Sequence, residues 1–176
     1  MSEAFNLPKG LKGLATAKVW GSSQYLTPGK YLLKVKSFKQ QDSHNPKKSG
    51  SSYFIVAFDV VVATYKNGQE TKFSQGDEVS WIVDTAQPSA RSNIVQFLTG
   101  CFPEMVQKDL SDEFLESLFV LDPPPGIGRE LIADAFEIKT GSEGEGRFTK
   151  ITWALFDEKM KAEMAAKAAA TQQSAA

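Results

Sequence analysis

The feature that most limits how this chain can fold is a run of β-branched and aromatic residues from Tyr53 to Lys66. Every second residue from Phe54 to Val62 is apolar, which predicts a strand with one face against a core. The Asn67-Gly68 pair that follows is a strong signal for a two-residue hairpin turn, because both positions tolerate positive φ. The run therefore predicts an antiparallel sheet.

Other segments show the same period of two. In the first of them, apolar residues at every second position from Tyr31 to Val35 alternate with Lys34, Lys36 and Phe38. The period predicts that Trp81 and Trp153 point into the core. The predicted strands are Lys30–Gln41, Tyr53–Lys66, Glu78–Val83, Gly128–Lys139 and Arg147–Phe156.

Helical periods interrupt and follow the strands. An apolar stripe at Ile94, Phe97, Leu98 and Cys101 predicts a helix between the third and fourth strands. A second short helix is expected at 112–119, with Ser111 as its N-cap. The Ala, Lys and Glu residues from position 157 onward predict a C-terminal helix.

The order of these elements predicts a mainly β fold, a five-stranded OB-fold (Greek-key) barrel. Its helical insert lies between strands three and four, and a C-terminal helix follows. A β-sandwich would need about seven strands and has no use for such an insert. The expected organisation is a basic arm at residues 1–28, an OB-fold single-stranded DNA-binding domain at 29–156, and a C-terminal helix and tail at 157–176.

Composition excludes several classes of protein. Cys101 and His44 are the only residues of their types, so neither a disulfide scaffold nor a cysteine or histidine zinc site can form within the chain. No apolar stretch approaches the about 20 residues of a membrane span, and we expect a cytoplasmic protein, in the host cell if viral. Residues 1–50 carry a net charge of +7 and the remainder −8, which predicts a polarised surface.

The outward phase of the strands places lysines and aromatic rings on one exposed surface. Such a surface suits a single nucleic-acid strand, since cations follow phosphates and rings stack under bases. A solvated face with a few exposed rings is the alternative reading of the same pattern. The predicted nucleic-acid-binding residues are Lys34, Lys36 and Phe38 of the first strand, Lys47 and Lys48 of the next loop, Tyr53 of the second strand, and Arg147, Phe148 and Lys150 of the fifth.

Catalytic interpretations find little support. His44 has no identifiable nucleophile nearby in the sequence, and the acids Asp59, Asp77, Glu78 and Asp84 fit no metal-binding loop motif. The glycine-rich segments at 126–128 and 141–146 do not precede helices, as phosphate-binding loops do. We therefore expect a protein that is not an enzyme and needs no metal or cofactor.

Four segments carry a resemblance to a known family: Pro28–Tyr31, Ser52–Val60, Gly76–Trp81 and Asn93–Leu98. Together they resemble the small phage single-stranded DNA-binding proteins of OB-fold type, and the likeness spans residues 28–156. The resemblance implies a protein that coats single-stranded DNA, without sequence preference, during viral replication, recombination or repair. It also implies replication or recombination proteins as partners.

The sequence leaves two other functions open. A structural or virion-assembly protein could use the same barrel for protein contacts, because fold does not fix function. A nuclease or other DNA-processing enzyme could use the scattered acidic residues.

Overall fold

The computed structural model describes residues 24–43, 50–64, 73–140, 146–154 and 158–174. Within them six strands form one sheet in the order β1-β4-β3-β2-β5-β6, and all neighbours are antiparallel except β1 and β4. The strands are β1 Gln24–Tyr25, β2 Gly29–Asp42, β3 Ser52–Thr64, β4 Glu78–Asp84, β5 Glu130–Thr140 and β6 Gly146–Ala154. The helices are α1 Ala90–Cys101, α2 Asp112–Val120 and α3 Glu158–Ser174.

The five long strands follow a Greek-key path. β2, β3 and β4 are consecutive neighbours, and the chain then returns through α1 and α2 to place β5 on the other side of β2. This is the spatial order 4-1-2-3 that defines the motif. The predictions of a mainly β protein, a helical insert after the third long strand and a C-terminal helix are confirmed.

The core lies between the curled sheet and the two inserted helices. β3 contributes every second residue from Phe54 to Val60, as its alternation predicted. Val62 was expected on the same face but packs against Leu32 in a separate cluster, because the register shifts between Leu32 and Leu33. The stripe of α1 is also confirmed, since Phe97, Leu98 and Cys101 are buried against the sheet. At the start of α2, Ser111 Oγ accepts a hydrogen bond from the Phe114 N–H at 3.2 Å, the N-cap contact expected there.

The prediction of a closed barrel is wrong, because the sheet does not close on itself. β4 and β6 approach each other, but among the described residues they share no strand pairing. The rings of Trp81, Trp153 and Phe97 meet between them, with centroids 5.0 to 5.1 Å apart. The three rings pack against the core beneath the seam, and the sheet is open between β4 and β6 within the described residues.

The edge of β4 that faces away from β3 is partly paired with β1. Gln24 and Tyr25 pair with Val79 and Ser80 in the parallel sense. Leu26 then leaves this edge and is buried in the core. The folded part of the chain thus begins before residue 29, and residues 1–23 of the expected arm lie outside the described residues.

A bulge in β2 overturns the predicted orientation of Phe38. Val35 lies opposite Phe58 and Ser37 opposite Ala57, so Lys36 is an extra residue in the ladder. Because one extra residue reverses the faces that follow, Phe38 turns inward and only 6% of it is exposed. The prediction that this ring lies on the outer surface is wrong.

The C-terminal helix covers part of the outer side of the sheet. Met164 of α3 is buried against Leu32 and Ile132, in a small cluster separate from the main core. Lys161 adds an ion pair to Glu130 at 3.2 Å. No helix in the described ranges is long and apolar enough to cross a membrane.

Candidate nucleic-acid interface

The register of β2, β3 and β4 arranges the outward residues in rows across the three strands. One row is Gln41, Tyr53 and Asp84, and the next is Lys39, Ile55 and Ile82. Lys39 is exposed, while Tyr53, Ile55 and Ile82 are half-buried. We call these four residues the tyrosine patch: Lys39, Tyr53, Ile55 and Ile82.

The opposite end of the same face has a different electrostatic character. The Lys36 ammonium pairs with Asp59 at 3.2 Å and with Glu78 at 2.6 Å, and so joins β2, β3 and β4. The hydrogen bond to Glu78 and, to a lesser extent, the one to Asp59 raise the pKa of Lys36 above its usual value. Lys36 is exposed as predicted, but two carboxylates already neutralise its charge.

Lys34 is the less engaged of the two predicted lysines of β2. It is exposed, as predicted, and lies opposite Asp59 on one side and Glu130 on the other. Within the described ranges no carboxylate comes within ion-pair distance of its ammonium group, so its charge is available to an external anion. Lys34 and Tyr53 are nonetheless about 20 Å apart, because Tyr53 lies six residues along β3 from Asp59.

Lys150 belongs to a different part of the surface. It is exposed on β6, opposite Phe136 of β5. β5 lies between β2 and β6, so the first and fifth long strands are not neighbours in the sheet. The structure therefore does not bring Lys150 together with Lys34 and Lys36.

The remaining predicted residues are only partly described. Lys47 and Lys48 lie outside the described residues, in the segment that connects Ser43 to Gly50. The two ends of that segment meet beside Tyr53, where the Ser43 N–H donates to the Ser51 carbonyl oxygen at 2.9 Å. The backbones of Arg147 and Phe148 pair with β5, and their side chains are not described.

Sequence reasoning missed Lys39 as a surface residue beside Tyr53. An uninterrupted alternation in β2 assigns Lys39 to the core side, together with Tyr31 and Val35. The bulge at Lys36 reverses this assignment and brings Lys39 opposite Ile55. The spacing of Lys36 and Lys39 was the available signal for the bulge. Residues three apart in a regular strand face opposite sides, so one of these lysines would point inward and would need a buried partner.

A groove follows the seam between β4 and β6. One part has a volume of about 650 Å³ and is bordered by Trp81–Asp84, Thr149–Ile151 and the first turn of α1. A second part, of about 270 Å³, continues past Trp81 and Ile82 to Tyr25 and Leu26. Lys150 lies on the rim of the larger part.

Metal ligands and thiol reactivity can be assessed for the described residues. They include no group of three or more His, Cys, Asp or Glu side chains placed to hold a metal ion. Burial raises the pKa of the Cys101 thiol to about 12, which keeps it protonated and unreactive. The acids Asp59 and Glu78 converge on Lys36.

No protein-family model matches this chain, and the search of curated protein sequences found no match.

Proposed function

We propose that this protein binds single-stranded DNA without sequence preference through the outer face of β2, β3 and β4. The proposal includes a role in DNA replication, recombination or repair, as the resemblance to the phage proteins implies. Binding combines stacking of bases on the tyrosine patch with contacts from lysines to phosphates, and it requires no cofactor.

The observation that carries this proposal is the order of the five long strands. β4-β3-β2-β5-β6, with helices inserted before β5, is the arrangement expected of an OB-fold sheet that stays open between its third and fifth strands. OB-folds bind oligonucleotides on the face of strands two and three and with the adjacent loops. Three residues of the tyrosine patch, Tyr53, Ile55 and Ile82, lie on the corresponding strands, β3 and β4. The segment with Lys47 and Lys48 leaves the sheet beside Tyr53.

The chemistry of the tyrosine patch suits an unpaired base. Tyr53 presents a partly exposed ring, and Ile55 and Ile82 extend its apolar surface across the neighbouring strand. A stacked base is worth about 1–3 kcal/mol, and stacking tolerates every sequence because each base has a π-face. Lys39, exposed and opposite Ile55, supplies a cation at the edge of this surface.

A second candidate function is a protein-contact role in structure or virion assembly. The pairing of Lys36 with Asp59 and Glu78 favours it, because it removes one cation from the surface that a polyanion would meet. This alternative predicts negligible affinity for DNA at physiological salt.

Fluorescence anisotropy with a labelled oligothymidine and with a duplex of equal length tests the proposal. We expect the single strand to bind more tightly than the duplex, whose paired bases cannot stack on Tyr53. Its affinity should fall between about 50 and 200 mM salt, with a log–log slope of about −0.7 for each neutralised phosphate. Equal binding of both nucleic acids, or no binding, would contradict the proposal, and the second result favours the protein-contact alternative.

A further inference from the structure

The seam between β4 and β6 is bordered by strand edges rather than strand faces. Four consecutive residues of β4, Trp81–Asp84, and three consecutive residues of β6, Thr149–Ile151, border the larger part of the groove. Successive side chains of a strand point to opposite sides of the sheet. A groove that meets consecutive residues on both strands therefore runs along the edges, where backbone N–H and C=O groups are exposed.

The pairing of β4 with β3 shows which backbone groups face the seam. The Val60 N–H donates to the Asp77 carbonyl oxygen at 2.8 Å and the Thr85 N–H to the Ser52 carbonyl oxygen at 2.9 Å. In an antiparallel ladder, hydrogen-bonded pairs alternate with non-hydrogen-bonded pairs. Asp77 and Thr85 both bond to β3, so the odd-numbered residues between them also direct their N–H and C=O groups to β3. The N–H and C=O of Ile82 consequently point away from β3 and into the seam.

The first part of this edge of β4, before Ile82, already pairs with a strand. β1 pairs with it at Val79 and Ser80, and Leu26 then turns into the core. Beyond Ser80, the part of the chain that the structure describes supplies no further strand to β4. Ile82 therefore continues an edge whose first half is paired and whose second half is open.

We propose that the seam binds an extended peptide segment of a partner protein, which enters as a strand between β4 and β6. Such strand addition takes its affinity from main-chain hydrogen bonds and its specificity from alternate side chains. Inward side chains of the peptide would pack on Trp81 and Ile151, which requires apolar residues at every second position. The inserted strand joins β4 to β6, which share no pairing among the described residues.

The positive charge of Lys150 at the rim of the groove favours an acidic side chain at an outward position of the peptide. Lys150 is exposed there, and no carboxylate of the described residues lies within ion-pair distance of it. An acidic residue at an outward position of the peptide would pair with this ammonium group. The partner is therefore an extended segment that alternates apolar and polar residues and carries at least one carboxylate.

Two peptides with the same side chains, one of them with blocked backbone N–H groups, test the proposal on the full chain. The probe is acetyl-TVEVTV-amide, and its control is the same peptide N-methylated at alternate residues, which keeps the side chains but cannot pair along both edges. Binding is followed by shifts and hydrogen exchange of the Ile82 amide in NMR spectra. We expect the probe to bind at least about tenfold more tightly than its control, since each net hydrogen bond contributes about 0.5–1.5 kcal/mol.

Two variants locate the site independently. Ile82→Pro removes the N–H that faces the seam, at a position of the kind that tolerates proline on an edge strand, and should weaken the probe about tenfold. Lys150→Glu keeps the backbone edge and should reverse the preference between the probe and acetyl-TVKVTV-amide. The charge reversal keeps the proposal testable if the proline variant does not fold.

Three results would overturn the proposal. The first is equal binding of the probe and its N-methylated control, which would indicate apolar contact alone. The second is protection of the Ile82 amide in the protein without peptide, which would mean that the chain itself or a second copy fills the seam. The third is protection of this amide by oligothymidine and not by the peptide, which would assign the seam to nucleic acid.

Discussion

The two lysines of β2 that were expected to contact phosphate differ in their surroundings. Lys36 is held by Asp59 and Glu78, whereas Lys34 has no such partner among the described residues. We predict that Lys34→Ala reduces the salt slope of single-strand binding by about 0.7, the contribution of one phosphate contact. Lys36→Ala should weaken binding, because it removes the cation that offsets the negative charge of Asp59 and Glu78, but should leave the slope unchanged. Anisotropy titrations at several salt concentrations measure both, and equal slopes for the two variants would contradict this distinction.

Cys101 allows a test of the core at the level of one side chain. Burial raises its thiol pKa to about 12, so the thiol should stay protonated in the folded protein up to at least about pH 9. We predict that iodoacetamide does not modify Cys101 in the native state at pH 8 and modifies it readily in urea. Mass spectrometry of the alkylated protein measures the difference. Rapid labelling of the native protein would mean that α1 does not pack as described.

Sequence pattern assigns most side chains of the core but fails after an irregularity. The alternation of β3 correctly buries Phe54 and Phe58, because this part of the strand has no bulge. The residues of the bulge itself do not reveal it, since Ser37 is compatible with either face; only the odd spacing of Lys36 and Lys39 indicates it. Phe38 was therefore assigned to the wrong face, and Lys39 was not identified as part of the candidate site.

At the scale of elements, the segment from α2 to β5 depends on one close approach. Gly126 has φ +89°, and a Cβ atom there would lie 2.7 Å from Phe102 Cζ. The same Phe102 ring lies under the Arg129 guanidinium at 4.6 Å, and Arg129 also forms an ion pair with Glu104. This cluster fixes the chain as it enters β5.

A pair of glycine variants separates steric conflict from backbone strain in this segment. Gly76 also has positive φ, +92°, but a Cβ atom there meets nothing within 4 Å. We predict that Gly76→Ala costs about 1 kcal/mol of the free energy of unfolding, from strain alone. Gly126→Ala should cost at least about 1 kcal/mol more, because Phe102 must also move. Urea denaturation measures both, and equal losses would show that the Phe102 contact does not constrain the segment.

Helix positions were more predictable than sheet closure. Ser111 and the stripe of α1 identify their helices because capping and a 3.6-residue period are local properties. Whether β4 meets β6 depends on how segments that are distant in the sequence pack together, and no local pattern reports this. The pairing of Gln24–Tyr25 with β4 was missed for a similar reason, because two residues are too short to show a period.

For the whole molecule, strand order and the pattern of exposed residues jointly support the proposed function. The Greek-key order brings β2, β3 and β4 side by side, and their register collects the tyrosine patch from three strands. The predicted residues form two separate groups on this surface, with Lys34 and Lys36 at one end of β3 and Tyr53 at the other. A bound strand that touches both groups must therefore cross about 20 Å of the sheet.

The most direct test of the account compares two exposed tyrosines in single-strand binding. Tyr53 belongs to the tyrosine patch, whereas Tyr25, 64% exposed, lies on β1 outside it. We predict that Tyr53→Ala weakens oligothymidine binding by about 1–3 kcal/mol with an unchanged salt slope, and that Tyr25→Ala has no effect. Thermal unfolding of both variants provides the control for stability. Equal affinities of the Tyr53→Ala variant and the unaltered protein, per folded molecule, would contradict the claim that bases stack on this face.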